Sequence, residues 1–254
     1  MLLHPPHVVR QPPDIVAKIT TLINCVFVCA VVAMDGDTAD ARYVVLGDVV
    51  GSREIDDRAA FRERLTDARR AVTDARGEDF AAGPSMLKGI DELGAVLTRL
   101  DGLYDVVVTM NDWLHPQAIR LAVASGEIEF GPTEDVARMD GGAVHRATEL
   151  LESVEGDDLW FGLDTGTEPL DTAVADEINL LVHLRRSWTD RQRDVVTRYE
   201  RAGTQRAVAE ELGVSQQAVS TVLQGASWPL IDTVESRLRR TLATYDGDDE
   251  VAGE

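Results

Sequence analysis

One segment, Thr204 to Gln224, constrains the fold of this chain more than any other. Within it, Ala209, Gly213 and Val219 lie at spacings of four and six residues. A small alanine lets two helices cross closely, a glycine supplies the positive φ that a tight turn needs, and a valine packs the second helix onto the first. Ser215 follows the turn at the position of a helix N-cap. The segment therefore predicts a helix-turn-helix.

Apolar residues accompany this pattern at helical spacing, and we expect them to be buried. They are Val208, Leu212, Val214 and Val222 in the segment, with Trp188, Val195, Val196 and Tyr199 in and beside a preceding helix predicted over 189–201. The three-helix arrangement resembles the DNA-binding domains of sigma-factor region 4 and related regulators. An ordinary helical hairpin would bury valine and leucine at the same intervals, so that alternative stays open.

The second helix of this segment presents polar residues outward and predicts a DNA interface. The predicted DNA-binding residues are Arg191, Thr204, Gln205, Arg206, Ser215, Gln216, Gln217, Ser220 and Thr221. Glutamine can bond adenine in a bidentate manner, whereas serine and threonine bond several bases. The arginines available for phosphate contacts, or for balancing neighbouring acids, are Arg185, Arg186, Arg191, Arg193, Arg206, Arg237, Arg239 and Arg240. Because the reading helix has no Lys or Arg, a protein-docking module is a further alternative.

Charge is distributed unevenly and agrees with nucleic-acid binding in one segment. The whole chain has a formal net charge of −20, but residues 185–245 hold 10 Arg against 7 acidic residues, a net charge of +3. The chain contains Lys18 and Lys88 but no other lysine. This composition resembles that of proteins from salt-loving archaea, and an acidic mesophilic protein with an arginine bias is the alternative. Concentrated salt screens phosphate attraction, so the fit to a groove must then contribute more.

Residues 1–41 differ from the rest and predict an atypical apolar or disordered N-terminal extension. The apolar stretch within residues 15–33 is short for a membrane helix. An abrupt change to acidic sequence at Met34 favours a mistaken start upstream of the true one, and a membrane anchor or a cleaved signal peptide are alternatives. Both cysteines, Cys25 and Cys29, lie in this extension, so neither a disulfide framework nor a zinc site is indicated.

The body of the chain, residues 42–167, alternates strand and helix patterns. Strands are predicted over 42–51, 118–128 and 159–163, a hairpin over 85–97, and helices over 55–76, 100–114 and 141–153. The order β-α-β-β-α-β predicts a ferredoxin-like sheet with helices on one face. The predicted fold class is therefore α+β, with an all-α helix-turn-helix domain following over 188–245.

Four motifs of this body resemble the SatD family when taken in order. They are GDVVGSR (47–53), KGIDELGAVL (88–97), IRLAVASGEI (119–128) and GGAVHRATELLE (141–152). A tryptophan-led helix-turn-helix after such a domain is also similar to that family. The same core is similar in motif order to class III nucleotide cyclases and, through its Asp-Glu hairpin, to GGDEF domains.

The cyclase resemblance implies a metal and nucleotide site. Such cyclases hold two divalent ions on aspartates of the first strand and the hairpin, which are the places of Asp48, Asp91 and Glu92. Carboxylates from adjacent strands repel unless a cation joins them, which suits Mg²⁺ or Mn²⁺. The implied nucleotide-binding residues are Gly47, Gly51, Ser52 and Lys88. Alternatively, Asp48 ends a strand and the other two acids form a polar hairpin tip.

No catalytic residue is predicted. Where the cyclase pattern has an asparagine and an arginine that steady ribose and phosphates, this chain has His145 and Glu149. A glutamate would repel developing phosphate charge, and Arg146 lies at the wrong helical phase to replace the arginine. These departures favour a degenerate nucleotide-sensing domain or a structural domain, with His145 bonded locally at a helix start.

Two more helices complete the predicted architecture. A connecting helix over 168–187 and a terminal helix over 230–245 each carry an apolar stripe that packs within the chain or against a second copy. DNA readers of this type commonly dimerise on half-sites, which favours a homodimer. Residues 246–254 predict an acidic, disordered tail. The predicted function is a cytoplasmic DNA-binding regulator with a cyclase-like sensor or scaffold domain, and the alternative is a metal-dependent nucleotide-binding protein or enzyme.

Overall fold

The computed structural model describes residues 42–88, 91–129 and 136–246, all of which belong to one compact unit. The predictions for the N-terminal extension, including its apolar stretch, its cysteines and the start at Met34, lie outside the described residues. The prediction of an acidic, disordered tail over residues 247–254 also lies outside the described residues. In the part of the chain that is described, no helix is long and apolar enough to cross a membrane.

Among the described residues, five strands form one mixed sheet. They are β1 (Tyr43–Val49), β2 (Phe80–Lys88), β3 (Glu92–Leu97), β4 (Ile119–Ser125) and β5 (Phe161–Asp164). The strand order across the sheet is β2-β3-β1-β4-β5. Neighbouring strands are antiparallel except β4 and β5, which are parallel. The predicted α+β class is therefore confirmed, with β1 at the centre of the sheet.

Eight α-helices accompany the sheet within the same described ranges. They are α1 (Arg58–Arg76), α2 (Leu103–Leu114), α3 (Gly142–Gly156), α4 (Leu170–Arg186), α5 (Asp190–Ala202), α6 (Gln205–Leu212), α7 (Gln216–Gly225) and α8 (Trp228–Thr244). Local capping sets several of these bounds. The Asp57 carboxylate, for example, accepts the Ala60 N–H at 2.9 Å and starts α1, because a capped N–H no longer needs a partner within the helix.

The sheet is buried on both faces, so the prediction of helices on one face is incomplete. Val44 and Leu46 pack against α3. Tyr43 and Val45 alternate to the opposite face and are also buried, and α1 and α2 pack together beside the sheet. Asp48 is the one residue of β1 that is not buried. Both faces are covered because a third helix, α3, follows β4. This helix packs on the face that a simple β-α-β-β-α-β unit leaves open.

Helix α4 closes the sheet beside β5. The Asn179 side-chain oxygen accepts the N–H groups of Trp160 and Phe161 at 2.8 and 3.0 Å, and its amide nitrogen donates to the Phe161 carbonyl at 2.8 Å. At the start of the helix, buried Asp171 accepts the hydroxyl hydrogen of Tyr245 at 2.9 Å. The predicted connecting helix is therefore a packed part of the core.

A cluster of charged side chains, the Arg185 cluster, joins the sheet region to the C-terminal helices. Arg185 is only 3% exposed. Its guanidinium donates to Asp112 of α2 at 2.6 Å and to Glu235 of α8 at 2.9 Å. It also donates to Glu200 of α5 at 3.3 Å, and Arg193 donates to Asp112 at 2.9 Å. Because a buried charge is stable only when it is paired, this cluster holds four helices together.

The last described residue is also held by the sheet region. The Asp246 carboxylate accepts the N–H of Leu100 at 2.9 Å and that of Asp101 at 3.0 Å. These backbone donors lie just before α2, where no strand or helix partner is available to them. The predicted start of the disordered tail at residue 246 is therefore at least one residue too early, because the Asp246 carboxylate caps the loop before α2.

Candidate functional site

Helices α5, α6 and α7 form a trihelical unit whose starts are fixed by local hydrogen bonds. The Thr189 hydroxyl accepts the Gln192 N–H at 3.3 Å, and the Gln192 side-chain oxygen accepts the Thr189 N–H at 2.9 Å. The Thr204 hydroxyl accepts a backbone N–H of α6 at 3.3 Å. Val195 and Val196 are fully buried, as predicted. These caps satisfy donors that a helix start would otherwise leave unpaired.

The turn between α6 and α7 has the predicted geometry. Gly213 adopts φ 64° and ψ 32°, the left-handed region that strains residues with a side chain. The Ser215 hydroxyl caps α7 by accepting a backbone N–H at 3.2 Å. Val208 and Val219 are fully buried, and Ala209 is buried where a small residue was predicted. The helix-turn-helix geometry therefore follows from local sequence chemistry.

The predicted buried face of the trihelical unit is correct only in part. Val214 is 36% exposed, and Tyr199, Leu212 and Val222 are half-buried. Val214 lies in the turn itself, where the helical periodicity that predicted its burial does not apply. Leu223, which the prediction omitted, is buried four residues after Val219 on the same side of α7.

The outward face of α7 is polar. Gln216, Gln217 and Thr221 are exposed and Ser220 is half-buried. The Thr221 hydroxyl donates to the Gln217 carbonyl at 2.9 Å, which leaves its lone pairs free to accept. Of the other predicted contact residues, those exposed are Thr204, Arg206, Ser215 and Arg191, and Gln205 is half-buried. Amide and hydroxyl groups on one helix face are the kind of group that reads base edges in the major groove.

Several of the arginines available for phosphate contacts are bonded within the protein, which agrees with the alternative that they balance neighbouring acids. Arg185 and Arg193 belong to the Arg185 cluster. Arg186 donates to two backbone carbonyls in the loop before β4, at 3.0 and 3.1 Å. Arg239 donates to Asp105 of α2 at 2.8 Å. The four arginines bond acids and carbonyls of the sheet region. The sequence alone did not show that these partners lie near them.

The remaining predicted arginines stay at the surface. They are Arg191, Arg206, Arg237 and Arg240. Arg191 lies 3.6 Å from Asp194, and Arg206 lies 3.8 Å from Glu210. Exposed ion pairs of this kind contribute little free energy, so the arginines can exchange their partners for phosphate.

A cavity of about 340 Å³ lies between the sheet and α3. Apolar side chains from several elements form much of its wall, including Leu46, Leu87, Leu93, Val144 and Leu151. The polar side chains that line it are Asp48, Glu92, Arg120, Thr148, Glu152 and Glu155. Two of the predicted metal ligands, Asp48 and Glu92, are among these lining residues.

The register of the sheet separates one predicted metal ligand from the other two. Asp48 of β1 pairs directly with Glu92 of β3, so both side chains point to the cavity. Asp91 precedes Glu92 and does not line the cavity, and its carboxylate accepts the Ser52 hydroxyl at 3.4 Å. Within the described residues, no group of three or more His, Cys, Asp or Glu side chains is arranged to hold a metal ion. The predicted set of three carboxylates is therefore not assembled.

Asp48 carries its charge unfavourably in this cavity. Burial is the largest cause that raises the pKa of its carboxyl. The neighbouring carboxylates of Glu155, Asp91 and Glu92 raise that pKa further. Arg120, the cross-strand partner of Asp48 on β4, lowers it only in part. The site therefore favours protonation of Asp48 or the approach of a cation.

The predicted nucleotide-binding residues do not converge on the cavity. Gly47 borders it, but a Cβ at Gly47 would lie 2.7 Å from the Leu121 side chain, so this glycine is required by packing inside the sheet. Gly51 adopts φ 67° in an exposed turn, and Ser52 bonds Asp91; neither lines the cavity. The side chain of Lys88 lies outside the described residues.

The helix positions compared with the cyclase pattern also point away from the cavity. His145 is exposed, and its Nε2 lies 3.3 Å from Asp140, a local contact at the start of α3. Arg146 lies 3.9 Å from Asp164, and Glu149 is exposed. None of the three lines the cavity.

The contribution of α3 to the cavity was missed by the sequence reasoning. Val144, Thr148, Leu151 and Glu155 recur at spacings of three and four residues and all line the cavity. That spacing marks one face of a helix, but the helix predicted over 141–153 ends before Glu155, and no cavity was predicted beside it. The available signal was Glu155, a charged residue at helical spacing from the apolar Val144 and Leu151.

Comparison with known proteins adds no relative. The chain matches no protein-family model and no curated protein. The resemblance to the SatD family therefore remains a prediction from the four motifs. Functional inference rests on the two features described above, which are the polar face of α7 and the cavity under α3.

Proposed function

We propose that the protein is a DNA-binding transcriptional regulator of the SatD type, with α7 as the helix that reads the major groove. One observation carries the proposal, namely the exposed polar face of α7 on a capped and tightly packed trihelical unit. Gln217 and Thr221 face outward, while Val219 and Leu223 anchor the other side of the helix. A helix fixed in this way presents its side chains at one angle, which base readout requires.

The proposed interface separates base contacts from phosphate contacts. Gln216, Gln217, Ser220 and Thr221 would meet base edges, where glutamine pairs best with adenine. Arg191 and Arg206 are exposed on the adjoining helices and would bind phosphates. Because α7 itself has no cationic side chain, most of the salt-dependent affinity would come from outside the reading helix.

The sheet region is proposed to act as a cyclase-like sensor or scaffold for this unit. The antiparallel order β2-β3-β1-β4 supports a ferredoxin-like interpretation, and the Arg185 cluster supports transmission between the regions because it contacts helices of both. A DNA ligand implies a cytoplasmic protein. A homodimer on paired half-sites is part of the proposal, since a single reading helix contacts few base pairs.

The alternative function, a metal-dependent nucleotide-binding protein or enzyme, has narrower support. Asp48 and Glu92 share a cavity, as the resemblance to cyclases implies. Asp91 does not reach that cavity, and the predicted glycines do not surround a phosphate-sized space. Titration with ATP or GTP plus Mn²⁺ tests this alternative. The alternative requires that the wild-type protein binds the nucleotide and that Asp48→Ala abolishes the binding.

Selection from a library of random DNA duplexes tests the proposal. The purified full chain, in high KCl, is expected to enrich one sequence family. In a follow-up titration, Thr221→Ala should weaken binding to the enriched duplex severalfold. Thr66→Ala is the matched control, because both exposed threonines donate to a carbonyl four residues earlier, at 2.9 Å and 2.8 Å. A library that emerges unchanged from selection would contradict DNA reading by this chain.

A further inference from the structure

The cavity under α3 has the size and walls of a small-molecule site. Its volume of about 340 Å³ lies at the lower end of the range of about 300–1,000 Å³ typical of ligand sites. Leu46, Leu93 and Leu151 approach from β1, β3 and α3. Apolar walls from three separate elements would bury a hydrocarbon body from several sides, which favours binding.

The polar lining of the same cavity is strongly acidic. Asp48 projects from the sheet, and Glu152 and Glu155 project from α3. Asp48 and Glu155 therefore line the cavity from opposite walls, and among the charged neighbours Glu155 raises the pKa of Asp48 the most. In the described part of the chain, no hydrogen bond or ion pair reaches the Asp48 carboxylate. Two like charges across a gap are stabilised when a cation enters between them.

Among the described side chains that line the cavity, the one cation is that of Arg120, and it is already bonded to other groups. Arg120 is largely buried, and its Nε donates to the Leu159 carbonyl at 3.1 Å. Its guanidinium also donates to Asp158 at 2.8 Å. These bonds direct Arg120 toward the loop before β5. The charge it could offer to Asp48 is therefore shared with another carboxylate, and the described part of the lining remains net negative.

We propose that this cavity binds a protonated aliphatic amine. The ammonium group would lie between Asp48 and Glu155 and donate an N–H to each, while the hydrocarbon body would pack on Leu46, Leu93 and Leu151. Charge-assisted hydrogen bonds of this kind are stronger than neutral ones. This inference is independent of DNA binding by α7 and assigns the cavity a ligand opposite in charge to a nucleotide.

The chemistry of the walls sets the ligand class. An organic anion is excluded because it would meet three or more carboxylates. A quaternary ammonium ion is a poor match, since it has no N–H to donate and the described lining contains no aromatic ring to form a cage around it. A bare metal ion would leave the apolar walls uncovered. A primary amine with an alkyl chain satisfies both parts of the site.

Isothermal titration of the full chain with hexylamine, hexanol and hexanoate, at one fixed KCl concentration, tests the proposal. Hexylamine is expected to bind at one saturable site, with hexanol at least about tenfold weaker, because the neutral ligand loses the charge-assisted hydrogen bonds. Hexanoate is expected not to bind. Equal binding of hexylamine and hexanol, saturable binding of hexanoate, or no binding of hexylamine overturns the proposal.

Two variants test whether the amine binds within the cavity. Asp48→Asn and Glu155→Gln should each weaken hexylamine binding by about tenfold or more, while the unliganded Asp48→Asn protein melts at a higher temperature because repulsion is removed. Glu149→Gln is the matched control, since Glu149 is an exposed glutamate of α3 outside the cavity. Hexylamine binding that is unchanged in both cavity variants, or equally weakened in the control, contradicts the assignment.

Discussion

The trihelical unit and the cavity under α3 are assembled over different distances in the sequence. In the trihelical unit, the caps at Thr204 and Ser215 act within three residues, and Gly213 sets its own turn. In the cavity, Asp48 and Glu155 line the same space although most of the sheet region separates them in sequence. Local chemistry therefore specifies the geometry of the trihelical unit, whereas strand register and helix phase specify the lining of the cavity.

The two regions also treat charge differently. Exposed arginines of the trihelical unit lie beside acids that can release them, such as Arg206 beside Glu210. The cavity instead gathers carboxylates around Arg120, whose guanidinium is already bonded. The first arrangement suits an anionic partner and the second suits a cationic one. The two proposals therefore assign ligands of opposite charge to separate sites of one acidic chain.

The largest effect is expected where the two regions join. Arg185→Met should lower the free energy of unfolding by ~3–5 kcal/mol, because it removes the closest cationic partner of buried Glu235, at 2.9 Å, and leaves that carboxylate only the longer contact with Arg239 at 3.6 Å. Urea denaturation measures the loss. Arg201→Met is the control, because Arg201 is 68% exposed in its pair with Glu211 and should cost less than about 1 kcal/mol. Equal costs in the two variants would show that the Arg185 cluster does not hold the regions together.

A smaller effect tests the local geometry of the trihelical unit. Gly213→Ala should destabilise the protein by about 1–2 kcal/mol, because alanine is strained at a φ of 64°. Thermal unfolding measures this loss. Gly156→Ala is the control, since Gly156 ends α3, has open space around its Cα and has no positive φ. Equal changes in stability in the two variants would contradict the claim that backbone strain at the turn requires a glycine at position 213.

The smallest stability effect concerns charge in the cavity, and its sign depends on pH. Folding raises the pKa of Asp48, so the charged carboxylate destabilises the folded state above that raised pKa. This destabilisation disappears as the pH falls through the folded pKa toward the ordinary aspartate value. Asp48→Asn should therefore raise stability near neutral pH by at most about 1 kcal/mol and have no effect in acid. A gain that persists unchanged in acid would indicate a cause other than charge.

The sequence predicted the order of elements over 42–167 and the geometry of the helix-turn-helix, because periodicity, caps and glycine act locally. It could not predict the alternation that directs Glu92 into the cavity and Asp91 away from it, since register depends on strand pairing. It also left open whether Arg185 contacts phosphate or balances neighbouring acids. A buried arginine and an exposed one have the same sequence signature until their acidic partners, here Asp112 and Glu235, are located in space.

The central claim, that α7 reads bases, is tested most directly by coupling one side chain to one base pair. The affinities of the wild-type protein and of Gln217→Ala are measured for the selected duplex and for each of its single-base-pair variants, at one salt concentration. We expect Gln217→Ala to lose about 1–3 kcal/mol of discrimination at one position, with adenine preferred there by the wild-type protein, and to keep it elsewhere. Discrimination that stays the same at every position in the two proteins would contradict base reading by α7.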